Sequence, residues 1–377
     1  MASPTTSSGV TQGGTVFRSN TFTGKTCLVT GGGTGIGRSV AIELLVAGAQ
    51  HVIIAARNID RLRASAAEIA DVAARCSDQQ PLQRRFGTVI PYKLNIRDDQ
   101  SVAQCLTELT ERYGRIDCLV NNGGGQFASP AHLISAKGWR AVIDTNLNGT
   151  WLMCQGLYLI TPKDRRRGIA IVNVIADYFN GFPGMAHTGA ARAGVDNITR
   201  TLAREWGSEG IRINSVAPGI ILSSGVDNYP DSVRASFFGP SAYKVPLRRS
   251  GSEGEVSSAV VYLLSPAAAY ITGATLRVDG GSSLSKSEGI VDTMVNIMDA
   301  TEAPLLAARE VPAAVPPRVT LGLDGGSYHI APELRAEFER RVHTLMLPPS
   351  PSSGGVGKTG EEDTSADVMT TKSQSKL

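Results

Sequence analysis

Short, uninterrupted apolar runs punctuate the first part of the chain, at residues 25–30, 51–56, 88–94, 117–120, 170–175, 211–216 and 274–278. Between several of them, apolar side chains recur at helical spacing, most clearly at 37–47, 61–74 and 101–112. The runs predict strands and the spaced segments predict helices. Strands that alternate with helices of about 10–15 residues form right-handed βαβ units and a mostly parallel sheet. The strands are apolar throughout instead of alternating with polar residues, as expected when helices cover both faces. No internal repeat is present.

The regular pattern divides the chain. Residues 1–20 are rich in Ser, Thr and Gly and read as a disordered lead, and the regular core spans 21–281. A weaker pattern covers 282–347 and includes an amphipathic helix near 332–346; residues 348–377 are rich in Ser, Pro, Gly and Thr and read as a disordered tail. One α/β domain of about 250 residues with extensions accommodates this length. The net charge of +3 demands no nucleic-acid or membrane partner. Five scattered cysteines, Cys27, Cys76, Cys105, Cys118 and Cys154, form no C-x-x-C pair, which argues against a disulfide framework or a metal centre and for reduced structural thiols. No run of 18 apolar residues occurs, so no membrane span is predicted. The N-terminus lacks the charged-then-apolar order of a signal peptide.

The first strand leads into Thr30-Gly31-Gly32-Gly33-Thr34-Gly35-Ile36-Gly37, which opens a helix within the first βαβ unit. In that setting glycines let backbone approach a pyrophosphate, and the helix N-terminus offers N–H donors to it. Readers of NAD usually end their second strand on an acid for the ribose 2′-hydroxyl. Here Arg57 stands there, and Arg38 follows the glycine loop. Guanidinium groups suit a 2′-phosphate, so NADPH is the expected cofactor. The alternative for both arginines is simple solvation.

With these motifs in place the chain resembles the short-chain dehydrogenases/reductases. Thr30–Gly37 resembles their T-G-x-x-x-G-I-G loop, and Asn121-Asn122-Gly123-Gly124 their N-N-A-G, with Gly for Ala. Asn146 resembles the family's catalytic Asn, Ala217-Pro218-Gly219 the P-G that closes over nicotinamide, and Val278-Asp279-Gly280-Gly281 the usual core ending. The resemblance covers residues 21–281. It implies a Rossmann-type, doubly wound parallel sheet of seven strands in the order 3-2-1-4-5-6-7, and a homo-oligomer, usually a tetramer. The expected cofactor-binding set is Gly31, Thr34, Gly35, Ile36, Gly37, Arg57, Asn95, Ile96, Asn122, Gly123, Gly124, Arg192, Pro218 and Gly219.

The reductive centre of that family is normally Ser, Tyr and Lys. Here Arg192-Ala193-Gly194-Val195 fixes the register: Arg192 takes the Lys position, Thr188 the Tyr position, and Ala176 or Ile175 the Ser position. One branch tolerates such losses. The segments 121–127 and 187–195 look closely like the peroxisomal trans-2-enoyl-CoA reductases, with the 2,4-dienoyl-CoA reductases more distant. Ser375-Lys376-Leu377 matches the peroxisomal import address, which implies an import receptor as partner and the peroxisomal matrix as location.

Ketone reduction needs a tuned acid to protonate oxygen. A Thr hydroxyl is too weak for that, and Arg is effectively never deprotonated. Reduction of an enoyl thioester needs only hydrogen-bond donors at the thioester oxygen, since the proton goes to carbon. With this chemistry the resemblance implies the catalytic set Asn146, Tyr178, Thr188 and Arg192, Tyr178 because related dienoyl reductases carry a Tyr in that neighbourhood, and an acyl-CoA as substrate. Packing is the alternative for Tyr178, and a positional role for Asn146. Asp177 and His187 are further candidates, His187 with a structural role as its alternative. In the segment 229–243 and just beyond it, Phe237, Phe238 and Tyr243 are candidates for an acyl channel, and Lys244, Arg248 and Arg249 for CoA phosphates; core and solvated surface are the alternatives. The competing functions are a 2,4-dienoyl-CoA reductase and a non-catalytic NADP-binding protein.

Overall fold

The structure, a computed structural model, describes residues 17–18, 20–77, 87–223 and 245–284. Residues 1–16 of the expected lead lie outside the described residues, as do Phe237, Phe238, Tyr243 and Lys244. So do the helix expected near 332–346, the tail at 348–377 and Ser375, Lys376 and Leu377.

In chain order the elements are β1 (Thr26–Thr30), α1 (Gly35–Val46), β2 (His51–Ala56), α2 (Ile59–Ser77), β3 (Thr88–Lys93), α3 (Asp99–Tyr113) and β4 (Cys118–Asn121). There follow α4 (Ala136–Ile143), α5 (Gly149–Ile160), β5 (Ala170–Val174), α6 (Ala186–Trp206), β6 (Arg212–Pro218), the two-residue strands β7 (Ile221–Leu222) and β8 (Gly251–Ser252), α7 (Glu253–Leu264) and β9 (Thr275–Val278). The main sheet runs β3-β2-β1-β4-β5-β6-β9, and every pairing in it is parallel. This is the expected order, with β9 as its seventh strand. The order reverses between β1 and β4, and in such sheets ligands bind outside the carboxyl ends of the strands at that point.

Alternate residues of each strand enter different cores. Cys27 and Val29 of β1, Val52 and Ile54 of β2, and Val172 and Val174 of β5 pack with α1 and α7. Leu28, Ile53, Leu119, Ile171 and Ile213 pack on the other face with α3, α5 and α6. Side chains of a strand point alternately to its two faces, so two apolar faces erase the alternation in sequence. Each fully buried Leu or Ile contributes about 1.5–3 kcal/mol.

The helix bounds differ from the sequence pattern for local reasons. α3 begins earlier than residue 101 because the Asp98 side chain accepts from the N–H groups of Gln100 and Ser101, both at 3.1 Å. No element was expected over 136–160, where α4 and α5 are joined by one π-helical turn, Asp144–Asn148. That wider turn shifts the phase of the apolar face, so one helical period does not run through the segment.

Candidate active site

The glycine loop at the end of β1 is fixed by backbone contacts. Gly31 has φ +65° and its N–H donates to Ala55 O at 2.7 Å. A Cβ on Gly37 would lie 2.4 Å from Gly31 O, so only glycine lets α1 start this close to the loop. Thr34 caps α1 without a side-chain hydrogen bond, which leaves the first-turn N–H groups with no acceptor from their cap. The Asn122 Nδ2 donates to Thr30 O and Gly31 O at 3.2 and 3.3 Å, so this amide braces the loop. Thr30 Oγ1 in turn accepts from the N–H groups of Asn122 and Gly123. Ile96 closes on Gly123, where a Cβ would meet its Cδ1 at 3.2 Å. Asn95 follows β3 and its N–H donates to Ser101 Oγ. Gly219 N–H donates to Val278 O, and a Cβ there would strike Asp279 Cα at 2.7 Å, so Pro218-Gly219 is pressed against the end of β9.

Of the two arginines expected to meet a phosphate, one is already paired. Arg38 Nη2 lies 3.1 Å from Glu68 Oε2, so its charge is engaged on α2. Arg57 is exposed and lines a recess of about 320 Å³ with Tyr92, Lys93, Asn95, Ser101 and Gln104. Arg249 also departs from expectation: it is bound to Glu255, Nη1 to Oε2 at 2.9 Å, at the capping box of α7.

Asn146 and Arg192 meet at Gly124. A Cβ on Gly124 would lie 2.6 Å from both Arg192 Nη2 and Asn146 Oδ1. Asn146 is fully buried in the π-turn, where Oδ1 accepts from Gly125 N–H at 3.1 Å and Nδ2 donates to Gly125 O at 2.7 Å. Its amide therefore clamps the loop after β4, an arrangement that suits the positional alternative for this residue. Arg192, 8% exposed, donates from Nη1 to Val174 O at 3.0 Å, while its buried Nε has no partner. Burial draws this guanidinium down to about 10, still charged at neutral pH.

Thr188 is fully buried, and its hydroxyl lies 3.4 Å from Nδ1 of His187. Tyr178 is placed differently from the oxyanion donor expected. Its hydroxyl donates to Asp196 Oδ2 at 2.6 Å, and burial with that bond raises the phenol to about 12. Asp177 accepts from the Ser282 hydroxyl at 2.7 Å, and burial raises its carboxyl above the ordinary range.

A buried polar row lies under these groups that the sequence reading missed. Asn121, Asn173 and Ser215 are register partners on β4, β5 and β6. Asn121 Nδ2 donates to Asn173 Oδ1 at 2.8 Å, and Asn173 Nδ2 to Thr199 Oγ1 at 2.9 Å. Thr199 shares a hydrogen bond with Ser215 and donates to Val195 O, which ties α6 to three strands. The available signal was Asn173 inside an otherwise apolar run.

The profile of the family described as enoyl-(acyl carrier protein) reductase matches residues 31–283. A peroxisomal 2,4-dienoyl-CoA reductase ((3E)-enoyl-CoA-producing) of Danio rerio is 31% identical over 77% of this chain and 91% of its own length. The 3-oxoacyl-[acyl-carrier-protein] reductase FabG of Thermotoga maritima is 32% identical over 68% of this chain and 97% of its own. Among solved structures, the citronellol catabolism dehydrogenase AtuB of Pseudomonas aeruginosa PAO1 superposes with a TM-score of 0.60 at 40% identity, covering 71% of this chain and 99% of that one.

Proposed function

The chain belongs to the short-chain dehydrogenase/reductase family, in its enoyl-(acyl carrier protein) reductase type, and from that premise we propose that it uses NADPH to reduce the carbon–carbon double bond of trans-2-enoyl-CoA thioesters. The observation that carries this reading is the chemistry around Arg192. A buried cation with an unpartnered Nε stands in the family's lysine position, and a buried threonine stands in its tyrosine position. The phenol nearest in sequence to the strand end, Tyr178, donates its hydrogen bond to Asp196. This arrangement supplies positive potential without a tuned acid for oxygen.

Such a site suits a reaction whose proton ends on carbon. NADPH, when bound, supplies the hydride that goes to Cβ. Charge then runs to the thioester carbonyl oxygen, and solvent supplies the proton that Cα takes up. In this reading the backbone of Gly31, Thr34, Gly35, Ile36 and Gly37 holds the pyrophosphate. Arg57 meets the 2′-phosphate at its recess. Asn95, Ile96, Asn122, Gly123 and Gly124 shape the adenosine-to-ribose path, with Pro218 and Gly219 at the nicotinamide end. Arg192 holds the nicotinamide ribose and supplies positive potential to the reacting thioester. Asn146 acts through the loop it clamps.

A 2,4-dienoyl-CoA is the second reading, favoured by the name of the Danio rerio relative. One spectrophotometric experiment separates the possibilities: NADPH oxidation with a trans-2-enoyl-CoA, with a 2,4-dienoyl-CoA and without thioester. Turnover of the enoyl thioester supports the first reading, and turnover of the dienoyl thioester alone replaces it with the second. NADPH binding with turnover of neither makes the protein a non-catalytic NADP-binding one. The peroxisome is the proposed location, supported by that relative's name and by Ser375-Lys376-Leu377. A fluorescent fusion that stays in peroxisomes after these three residues are removed would overturn the role given to them.

A further inference from the structure

Three of the donors that the sequence offers to a thioester oxygen are engaged elsewhere. Asn146 is bound to Gly125, Tyr178 to Asp196, and the Thr188 hydroxyl faces an imidazole. Two side-chain donors near them remain without a partner, Arg192 Nε and His187 Nε2, and both are buried. Arg192 belongs to the site already described. His187 does not.

His187 is 0% exposed. Its Nδ1 receives the Thr188 N–H at 2.8 Å and faces the Thr188 hydroxyl at 3.4 Å. The backbone N–H of Thr188, a fixed donor to Nδ1, assigns the ring proton to Nε2. Burial lowers the imidazole below its ordinary range, with an opposing contribution from the Met185 backbone, so it is neutral at neutral pH. The result is a buried N–H aimed at no acceptor. Leaving such a group unsatisfied costs folding free energy, and an orphaned buried donor calls for an explanation.

Its surroundings supply one. Phe127 meets the imidazole edge to face, with ring centroids 4.4 Å apart and 81° between the planes. An aromatic ring is a weak acceptor, and Phe127 itself is 40% exposed, so it forms a cover that reaches solvent. The same loop carries Gly124 against Arg192 Nη2 and Gly125 against Asn146. Arg192 and His187, the residues that carry the two orphaned donors, thus meet one short loop, at Gly124 and at Phe127, after β4.

Resting on the thioester reading above, we propose that His187 is a catalytic residue that donates its Nε2–H to the thioester carbonyl oxygen as negative charge builds there. A neutral imidazole suits this role because it offers a hydrogen bond and surrenders no proton, so the proton still ends on Cα. Thr188 becomes a positioning residue, whose N–H holds Nδ1 and so fixes the tautomer, with its hydroxyl beside the same nitrogen.

The test compares wild type, His187→Leu and His187→Gln in steady-state reduction of trans-2-hexenoyl-CoA, with the NADPH dissociation constant and the melting temperature measured on each. Loss of one oxyanion donor lowers turnover by about 100-fold or more. His187→Leu should fall by that order, chiefly in kcat, with NADPH affinity within about twofold of wild type. His187→Gln keeps an amide N–H and should run at least about tenfold faster than the leucine variant. Equal losses in the two variants, or losses that follow melting temperature and NADPH affinity, assign His187 to packing and overturn the donor. Should the leucine variant fail to fold, His187→Met makes the same comparison. A wild type that turns over no thioester overturns the underlying reading and this one with it. A wild type that turns over the thioester while the leucine variant keeps pace overturns the donor alone.

Discussion

Tyr178 donates a hydrogen bond to Asp196, Oη to Oδ2 at 2.6 Å, and the same carboxylate accepts from Arg200 Nη2 at 2.6 Å and from the hydroxyl of Thr275. This knot joins the loop after β5 to α6 and β9. Removal of the phenol oxygen should therefore act on stability and leave the chemistry alone. Tyr178→Phe is expected to keep kcat/KM within about threefold. It should destabilise the fold by about 1.5–3 kcal/mol, the range for a hydrogen bond to a charged group. Thermal unfolding beside steady-state rates checks both, and a 100-fold fall in kcat without loss of stability would restore Tyr178 to the donor set.

On the NADPH reading, Arg57 is the guanidinium left for the 2′-phosphate, since Arg38 is held by Glu68. Its exposure at the lip of the recess limits the size of the effect, because exposed charge pairs are screened by solvent. Arg57→Asp should nonetheless raise the NADPH dissociation constant about tenfold or more, equivalent to about 1.4 kcal/mol. It should also bring NADH to parity or better. Equal use of NADH and NADPH by the wild type would remove the basis for this assignment.

These two cases show what a linear sequence carries. The sheet was legible because Leu28 and Val29 enter different cores while both are apolar, and glycines mark the strand ends. The cofactor loop was legible because Gly37 can be nothing larger against Gly31 O. The π-turn at Asn146 was not, since it breaks the helical period that reveals a helix. Nor was the fate of a donor. Tyr178 and Asp196 stand 18 residues apart, and only folding brings up the carboxylate that accepts the hydrogen bond. For the same reason Arg38 looked free until α2 brought Glu68 to it.

Arg192 is a buried cation that donates to the carbonyl of Val174 and leaves Nε bare. An unpaired buried charge opposes folding until a ligand partners it. Arg192→Met, which keeps volume and removes charge, should therefore raise the melting temperature of the protein without cofactor. A recovery of about 1 kcal/mol corresponds to roughly 2–4 °C in a domain of this size. The same variant should bind NADPH at least about tenfold more weakly. A drop in melting temperature would mean that the guanidinium is a net stabiliser in the free protein.

His187 makes folding stability depend on pH in a defined direction. Burial lowers its folded pKa, so the unfolded chain binds a proton at higher pH than the folded one. The contribution is present in full above the unfolded value of about 6.5 and is lost as pH falls through that value toward the folded one. As pH falls below about 6.5, the unfolding free energy of wild type should fall faster than that of His187→Gln, by at most about 1.4 kcal/mol per pH unit. Denaturant titrations at several pH values measure the difference, and parallel curves would show that folding leaves proton binding by the imidazole unchanged.

The reaction class is tested most directly by restoring the pair that the family usually carries. Thr188→Tyr with Arg192→Lys places a phenol beside an ammonium, the arrangement that protonates oxygen in ketone reduction. In enoyl-thioester reduction the proton ends on carbon, so a better acid for oxygen gains nothing. Position 188 is also fully buried, against the imidazole of His187. A phenol there has to displace that ring, and with it the donor assigned to the thioester oxygen. The double variant should therefore reduce enoyl-CoA no faster than wild type and should lose stability. Thr188→Val is the conservative counterpart: it keeps the volume and removes only the hydroxyl 3.4 Å from Nδ1. That bond is long, so its loss should slow turnover by about three- to tenfold, with little change in NADPH affinity. A sharp rise in enoyl-CoA reduction by the double variant would show that protonation of oxygen limits the rate. The site would then be a degraded ketone reductase and not one shaped for thioesters.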